Sequence, residues 1–362
     1  MNENSNIKKE EVIQQKFINQ FKNIKNEFIL KKIFFNLHQK RLLNMVKINK
    51  KLQNRINIKI NDYKEYSEKY SSIEIELIPA NNKKGKFINL VNKDNEKHCH
   101  IYFDNNNQEE IKRTFLNEDD QIKTIKVIID HQVTSFCELF SRCKCIESIS
   151  FKKFCRNNIN NMSHMFYECT SLKEIILKNF NTEKVKYMDC MFYNCSLLKE
   201  INVSNFNTSN VKTMEHMFSE CSSLEKLNLN NFNTNNVLDM ECMFSGCSLL
   251  NELNIINFNT CNVINMNSMF YRCSLLKHID ISNFNTNNVN EMSFMFDGCS
   301  SLKELNLNNF NTKKETHMYG MFSKIDNELK MKIQTRYKNF NKDAFKYHVC
   351  LSFIPLCPNF RR

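Results

Sequence analysis

One interval constrains this chain more than any other property. Cys143, Cys169, Cys195, Cys221, Cys247, Cys273 and Cys299 lie 26 residues apart, without a single insertion or deletion. Phe140, Phe166, Phe192, Phe218, Phe244, Phe270, Phe296 and Phe322 keep the same step, and so do the methionines from Met165 to Met321. A second aromatic column runs Phe154, Phe180, Phe206, Phe232, Phe258, Phe284 and Phe310. A unit of this length cannot bury both its apolar faces alone and becomes stable only when like neighbours stack on it. Equivalent residues then form straight columns, at the roughly 4.8 Å spacing of hydrogen-bonded strands. The end units are expected to be degenerate, since only one face of each meets a like neighbour. Phe136 and Leu139 replace the two methionines in the first unit, whereas the last has Glu315 for Val and Ile325 for Cys.

Within a unit the pattern changes period. "LEKLNL", Leu224 to Leu229, has the L-x-x-L-x-L spacing whose last two apolar residues alternate as a short strand requires. "NNFNTNNV" follows as an Asn-rich turn, in which side-chain amides satisfy backbone groups. Met240, Met243 and Phe244 then sit at i, i+3 and i+4, which predicts a short helix or helical turn as the return segment.

"MSHMFYECTSLKEIILKNFNT" and "MFDGCSSLKELNLNNFNT" resemble the BspA-like leucine-rich repeats, in which Met-Phe-x-x-Cys-x-x-Leu precedes an L-x-L strand and an Asn-Phe-Asn-Thr turn. The resemblance covers 133–325. It implies an α/β solenoid: a right-handed leucine-rich-repeat coil of seven units, with a parallel β-sheet on one face and a binding or adhesive role. In bacteria and protists the family is often linked to surface proteins, which would make this chain a surface antigen or adhesin.

The flanks read differently. Residues 1–72 carry amphipathic helical patterns, with Val12, Phe17, Ile18 and Phe21 near one face. The order of Phe28, Leu30, Ile33, Phe34, Leu37, Leu42, Leu43, Val46, Ile48 and Leu52 resembles a divergent F-box. That implies a substrate receptor recruited to a ubiquitin-ligase adaptor, and helices capping a solenoid would give the same pattern. Residues 73–132 read as a small β unit built from Ile73–Leu77, "KFINLV", "HCHIYF" and "IKVIID", which feeds the first coil and covers its open edge. Residues 326–362 are expected to form a capping helix, "NELKMKIQTRY", and a tail.

The formal charge of +12 points to an anionic partner until it is divided along the chain. Lys and Arg number 17 against 18 Asp and Glu over 133–323, but 16 against 9 over 1–80 and 9 against 3 over 324–362. The excess therefore lies at the ends, and no nucleic-acid partner is expected. The N-terminus lacks the apolar core of a secretory signal, and no window approaches the ~18 apolar residues of a membrane span. A cytoplasmic location follows as the expectation, with reduced thiols. No phosphate-cradling, zinc-protease or nucleophile-elbow motif occurs, and only 4 glycines are present. The chain is expected to be no enzyme and to need no cofactor.

Three groups of residues are candidates for chemistry or recognition. The repeated cysteines are expected to fill the core as small hydrophobes, with Cys221 replaceable by Ser only at the cost of a buried hydroxyl lacking a partner. His164, Cys190, His216 and Cys242 align in one column at one-coil spacing, as a ladder of zinc ligands would. The column continues through Ser268, Phe294 and Gly320, so it is read as variable solvent-side positions and no metal is expected. "HCH", His98 to His100, places its residues on alternate strand faces. On the outward strand face, Lys199, Lys277 and Lys303 belong to one column and Asn202, Asn228, Asn254, Asp280 and Asn306 to another. These form either a surface that reads a protein partner through hydrogen bonds or a solvated sheet protected by its charges.

Overall fold

The computed structural model describes Asn54 and residues 71–90, 97–104, 106, 108–130, 132–178, 180–311 and 316–347. The chain divides into Met1–Ser71 and Ser72–Arg362, and the second unit is the one described here. The F-box-like pattern of residues 28–52 and the divergent Glu315 lie outside the described residues.

The described residues hold eleven strands and one α-helix, and five of the strands precede the repeats. β1 (Ile73–Pro79), β2 (Gly85–Lys86), β3 (Cys99–Phe103), β4 (Phe115–Leu116) and β5 (Ile125–Ile129) precede them. β6 (Ile146–Lys153) and β7 (Glu174–Ile176) belong to the first two coils. The short β8 (Glu200–Ile201), β9 (Lys226–Leu227), β10 (Glu252–Leu253) and β11 (His278–Ile279) follow at the repeat interval. One five-stranded sheet has the order β3-β5-β1-β6-β7. Within it β1 pairs antiparallel with β5 and β6, and β6 pairs parallel with β7. Alternation places Ile73, Ile75 and Leu77 in the core and leaves Glu74 and Glu76 partly exposed. β1 thus occupies the edge that the first coil would otherwise leave open. Of "KFINLV" only Lys86 lies in a strand, at the end of β2, and 87–90 are irregular. Phe87 and Ile88 are fully buried plugs, and Asn89 carries the hydrogen bonds described below.

Each coil pairs with the next at an offset of 26 residues. On the strand face Glu200–Ile201 meets Lys226–Leu227, and Glu252–Leu253 meets His278–Ile279. A second parallel ladder runs through the return segments: Ser135, Asn161, Tyr187, Thr213, Asp239, Asn265, Glu291 and His317 bridge in succession.

That return segment corrects the helical reading. Met217, Ser219 and Cys221 donate their N–H to the carbonyls of Met214, His216 and Phe218, three residues back. Met214, His216, Phe218 and Glu220 instead donate to Asp239, Glu241, Met243 and Ser245 of the next coil. A helix would consume these N–H groups internally and leave none for stacking. Two columns of positive φ make the alternation possible. The one through His216 spans 52° to 62°, and the one through Glu220 spans 52° to 81°. The turns Met214–Met217 and Phe218–Cys221 have their positive φ at the third residue, as in a type II turn. Successive turns put apolar side chains inward every three to four residues, so the sequence spacing mimics a helix.

The core fills the space between the two ladders. The column from Phe140 to Phe322 is buried, and its rings stack at centroid distances of 5.4 to 6.1 Å with planes within 11°. The Val, Met and Leu columns around it are equally buried.

Both ends of the return ladder are closed by non-repeating chain. At the first coil, Asn89 donates its backbone N–H to Leu139 O and its side-chain Nδ2 to Glu138 O and Ser141 O. At the last coil, Gly320 and Phe322 donate to Asp343 and Ala344, so the 342–345 turn stands where another coil's carbonyls would be. Helix α1 (Asn327–Arg336) leads to that turn, capped by Asp326 and seated through Leu329 and Ile333. Phe345 and Phe340 cover the exposed face of Phe322.

Candidate functional site

The strand face carries the residues expected to contact a partner. Asn202, Asn228, Asn254, Asp280 and Asn306 are all exposed, as are Lys199, Lys277 and Lys303. The structure gives the amide column a local role too. The Oδ1 atoms of Asn202, Asn228, Asn254, Asp280 and Asn306 accept the N–H of the residue two places on. These are Asx turns, which end each strand. The Ser282 hydroxyl, followed by its N–H, holds the Asp280 carboxyl below its ordinary range. Lys303 is drawn to the end of the molecule, where its Nζ lies 3.1 Å from Asp326 Oδ2 at the cap of α1.

An open cleft of about 540 Å³ lies on this face, across three coils. Asn254, Asp280 and Asn306 line it together with Glu252, His278 and Glu304. Neither Lys277 nor Lys303 does. The cleft is therefore acidic, although the strand columns read along the whole stack are mixed in charge. Asn202, Asn228 and Lys199 belong to earlier coils and do not join it.

The repeated cysteines are buried, and their setting adds a contact that spacing did not disclose. Cys169, Cys195, Cys221, Cys247, Cys273 and Cys299 each place Sγ 3.0 to 3.2 Å from the carbonyl of a Phe in the preceding coil. Cys221 donates to Phe192 O, so a hydroxyl at this position would find an acceptor. Burial pushes the Cys221 thiol up to about 12. These are inert, protonated groups.

The His/Cys column requires a correction. It does not face solvent: His164 is 5 % exposed, His216 1 %, Ser268 4 %, and Cys190 and Cys242 are fully buried. The reason is the positive φ, which turns this position back under the neighbouring coil. In this column His216 comes close to Glu241 and Cys242 of the next coil. One ligand atom from each lies within 4.8 Å of the other two. Glu215 stands beside them, its Oε1 4.0 Å from His216 Nε2. Asn265 and Asn267, one coil further on, donate to the two Glu241 oxygens at 2.8 and 3.0 Å. Burial raises the Asp239 carboxyl, and burial followed by Glu241 raises the Cys242 thiol. Two coils earlier His164 lies 3.6 Å from Asp189, but Ser163 Oγ holds that carboxylate at 2.7 Å. Sequence reading missed Glu241 because it compared residues only within a column. The N–H groups of the return segment reach carbonyls 25 residues on, and that offset pairs His216 with Glu241.

"HCH" behaves as alternation requires. Cys99 is buried, while His98 and His100 turn outward to Asp130 and Glu110.

Asparagine and threonine prove to be the material of the stack. Thr182, Thr208, Thr234, Thr260 and Thr286 each donate Oγ1 to an Asn carbonyl of the next coil, at 2.9 to 3.0 Å. For the first four, the N–H of that same Asn returns to the hydroxyl at 2.7 to 2.8 Å. Asn210, Asn236, Asn262 and Asn288 donate Nδ2 to the preceding coil at 2.7 Å. Repetition in the sequence marks these positions, but not that their bonds cross between coils.

The described chain from Ser72 onward is thus a stack of capped, parallel-paired 26-residue coils with a polar strand face. Residues 134–253 and 225–335 match the family described as "Mycoplasma protein of unknown function, DUF285", associated with BspA-like repeats. The matched residues make up more than half of the chain, which belongs to that family. No curated protein and no solved structure matches it. No helix of the described residues is long and apolar enough to cross a membrane.

Proposed function

We propose that the protein is a non-enzymatic binding scaffold: a BspA-like leucine-rich-repeat solenoid that holds a protein partner on its strand face and adjacent loops. The observation that carries this reading is the cleft across three coils. Its walls combine hydrogen-bonding side chains with Glu252, Asp280 and Glu304, over a floor that includes Leu253, Ile279 and Leu305. Such a surface suits an extended segment bearing Lys or Arg, whose stems cover apolar residues while their charged heads reach carboxylates. Supporting it, the return side is occupied by inter-coil bonds, which leaves the strand face as the place where side chains vary without disturbing the stack.

Affinity capture with the full chain tests the proposal, comparing the native protein with Glu252→Lys/Glu304→Lys. Both glutamates are exposed and neither belongs to the Asx column. A partner that binds the native chain should be lost from the variant at unchanged thermal stability. Retention of every partner would place recognition elsewhere.

A further inference from the structure

We infer that His216, Glu241 and Cys242 form a binding site for one zinc ion, buried between two adjacent coils of the return face. The argument starts from convergence. An imidazole nitrogen, a carboxylate oxygen and a sulfur lie within 4.8 Å of one another, whereas ligands of one tetrahedral zinc stand roughly 3.3 to 3.8 Å apart, given bond lengths of about 2.0 to 2.3 Å. Modest side-chain rotations close that difference. The donor set is nitrogen, oxygen and sulfur, which zinc accepts and hard cations such as magnesium do not. Glu215, 4.0 Å from His216 Nε2, is the protein group placed to fill the fourth position.

Charge and support agree with this assignment. The Cys242 thiolate and the Glu241 carboxylate offset the two charges of zinc, the Glu215 carboxylate adds one negative charge beyond that, and binding releases the thiol proton to solvent. Among the described residues neither Asp239 nor Glu241 pairs with a lysine or arginine. Asn265 and Asn267 fix the Glu241 carboxylate from behind, as hydrogen-bond donors commonly orient a ligating carboxylate. The related His164, Asp189 and Cys190 are not assigned a metal. There the shorter aspartate is held by Ser163, and the three ligand atoms do not all lie within 4.8 Å of one another.

Full-length protein, stripped with chelator under reducing conditions, should bind one Co²⁺ as a spectroscopic stand-in for zinc. A sulfur-to-cobalt charge-transfer band and tetrahedral visible bands should appear at one equivalent and vanish on adding Zn²⁺. Zn²⁺ alone should raise the melting temperature reversibly. Cys242→Ser and His216→Ala should abolish the one-equivalent band, and Cys221→Ser, in the other cysteine column, should keep it. Asn267→Ala should keep the spectrum but weaken zinc about tenfold, since only the support of a ligand is removed. Should the ligand variants misfold, Asn267→Ala and the native melting shift still decide. A native protein without the band or the zinc-dependent shift, or a folded Cys242→Ser that retains the band, would overturn the site.

Discussion

The two faces of each coil use backbone hydrogen bonds differently. On the strand face pairing is confined to two or three residues per coil, and β8–β9 and β10–β11 form separate two-stranded sheets. On the return face the bridge column runs unbroken from Ser135 to His317, with Met214, His216, Phe218 and Glu220 of a single coil donating to the next. The segment that looks helical in sequence therefore holds the stack together, whereas the nominal sheet is lightly bonded. If recognition lies on the strand face as proposed, stability and recognition are divided between faces, and mutations should sort accordingly.

The sharpest test of the division removes a rung from the aromatic column. Phe218 stacks on Phe192 and Phe244 at 5.5 and 5.9 Å. Phe218→Ala should cost about 3 to 5 kcal/mol, read from denaturant midpoints. Thr234→Val comes next. It retains shape but leaves both the N–H and the carbonyl of Asn259 without their partner, and about 1 to 3 kcal/mol should be lost. Gly246→Ala should cost about 1 to 2 kcal/mol for a side chain in the left-handed region, at φ 75°. Its added carbon would also meet the Glu220 carboxylate at 2.7 Å. Cys221→Ser belongs at about 1 kcal/mol or below, because the hydroxyl inherits the bond to Phe192. Lys226→Ala, on the strand face, should stay within about 0.5 kcal/mol. A cost for Lys226→Ala equal to that of Thr234→Val would erase the distinction between the faces.

Electrostatics offers a finer probe of the return side. Burial raises the Glu220 carboxyl and outweighs the attraction of Arg272. A raised native value means the ionised form is penalised by folding, so stability is greatest below the carboxylate range and falls as pH rises through the native value. Glu220→Gln should therefore stabilise the protein at pH 7, and the gain should vanish in acid. Equal gains at both pH values would show that charge is not the cause.

How far the sequence could be read follows from the same geometry. The burial of Phe218, Met217, Cys221 and Leu224 was legible because a strict interval forces equivalent residues into shared layers. The strand and the Asn-rich turn were legible for the same reason. The helical reading of Met240, Met243 and Phe244 failed because apolar spacing records which side chains point inward, not where the N–H groups go. The His216 column failed with it: only the positive φ turns that position under its neighbour, and non-glycine residues at most of these sites hide the conformation. Of the residues that line the strand-face cleft, Asn254, Asp280 and Asn306 were visible in the sequence as an outward column, but the acidity of the cleft depends on which coils it spans. The pairing of Lys303 with Asp326 required knowing where the cap helix begins.

The caps at Asn89 and at 342–345 have a consequence for how such a chain can change. Each cap recognises only one terminal coil, through bonds to the backbone or to columns common to every unit. Neither cap senses how many coils lie between them. Duplication or loss of one whole 26-residue unit would leave both closures intact and merely lengthen or shorten the strand face. An insertion of one residue would instead put part of the coil that receives it out of phase with a neighbour. Coil number is thus a dimension in which the molecule can be resized in whole steps, while the step itself is fixed.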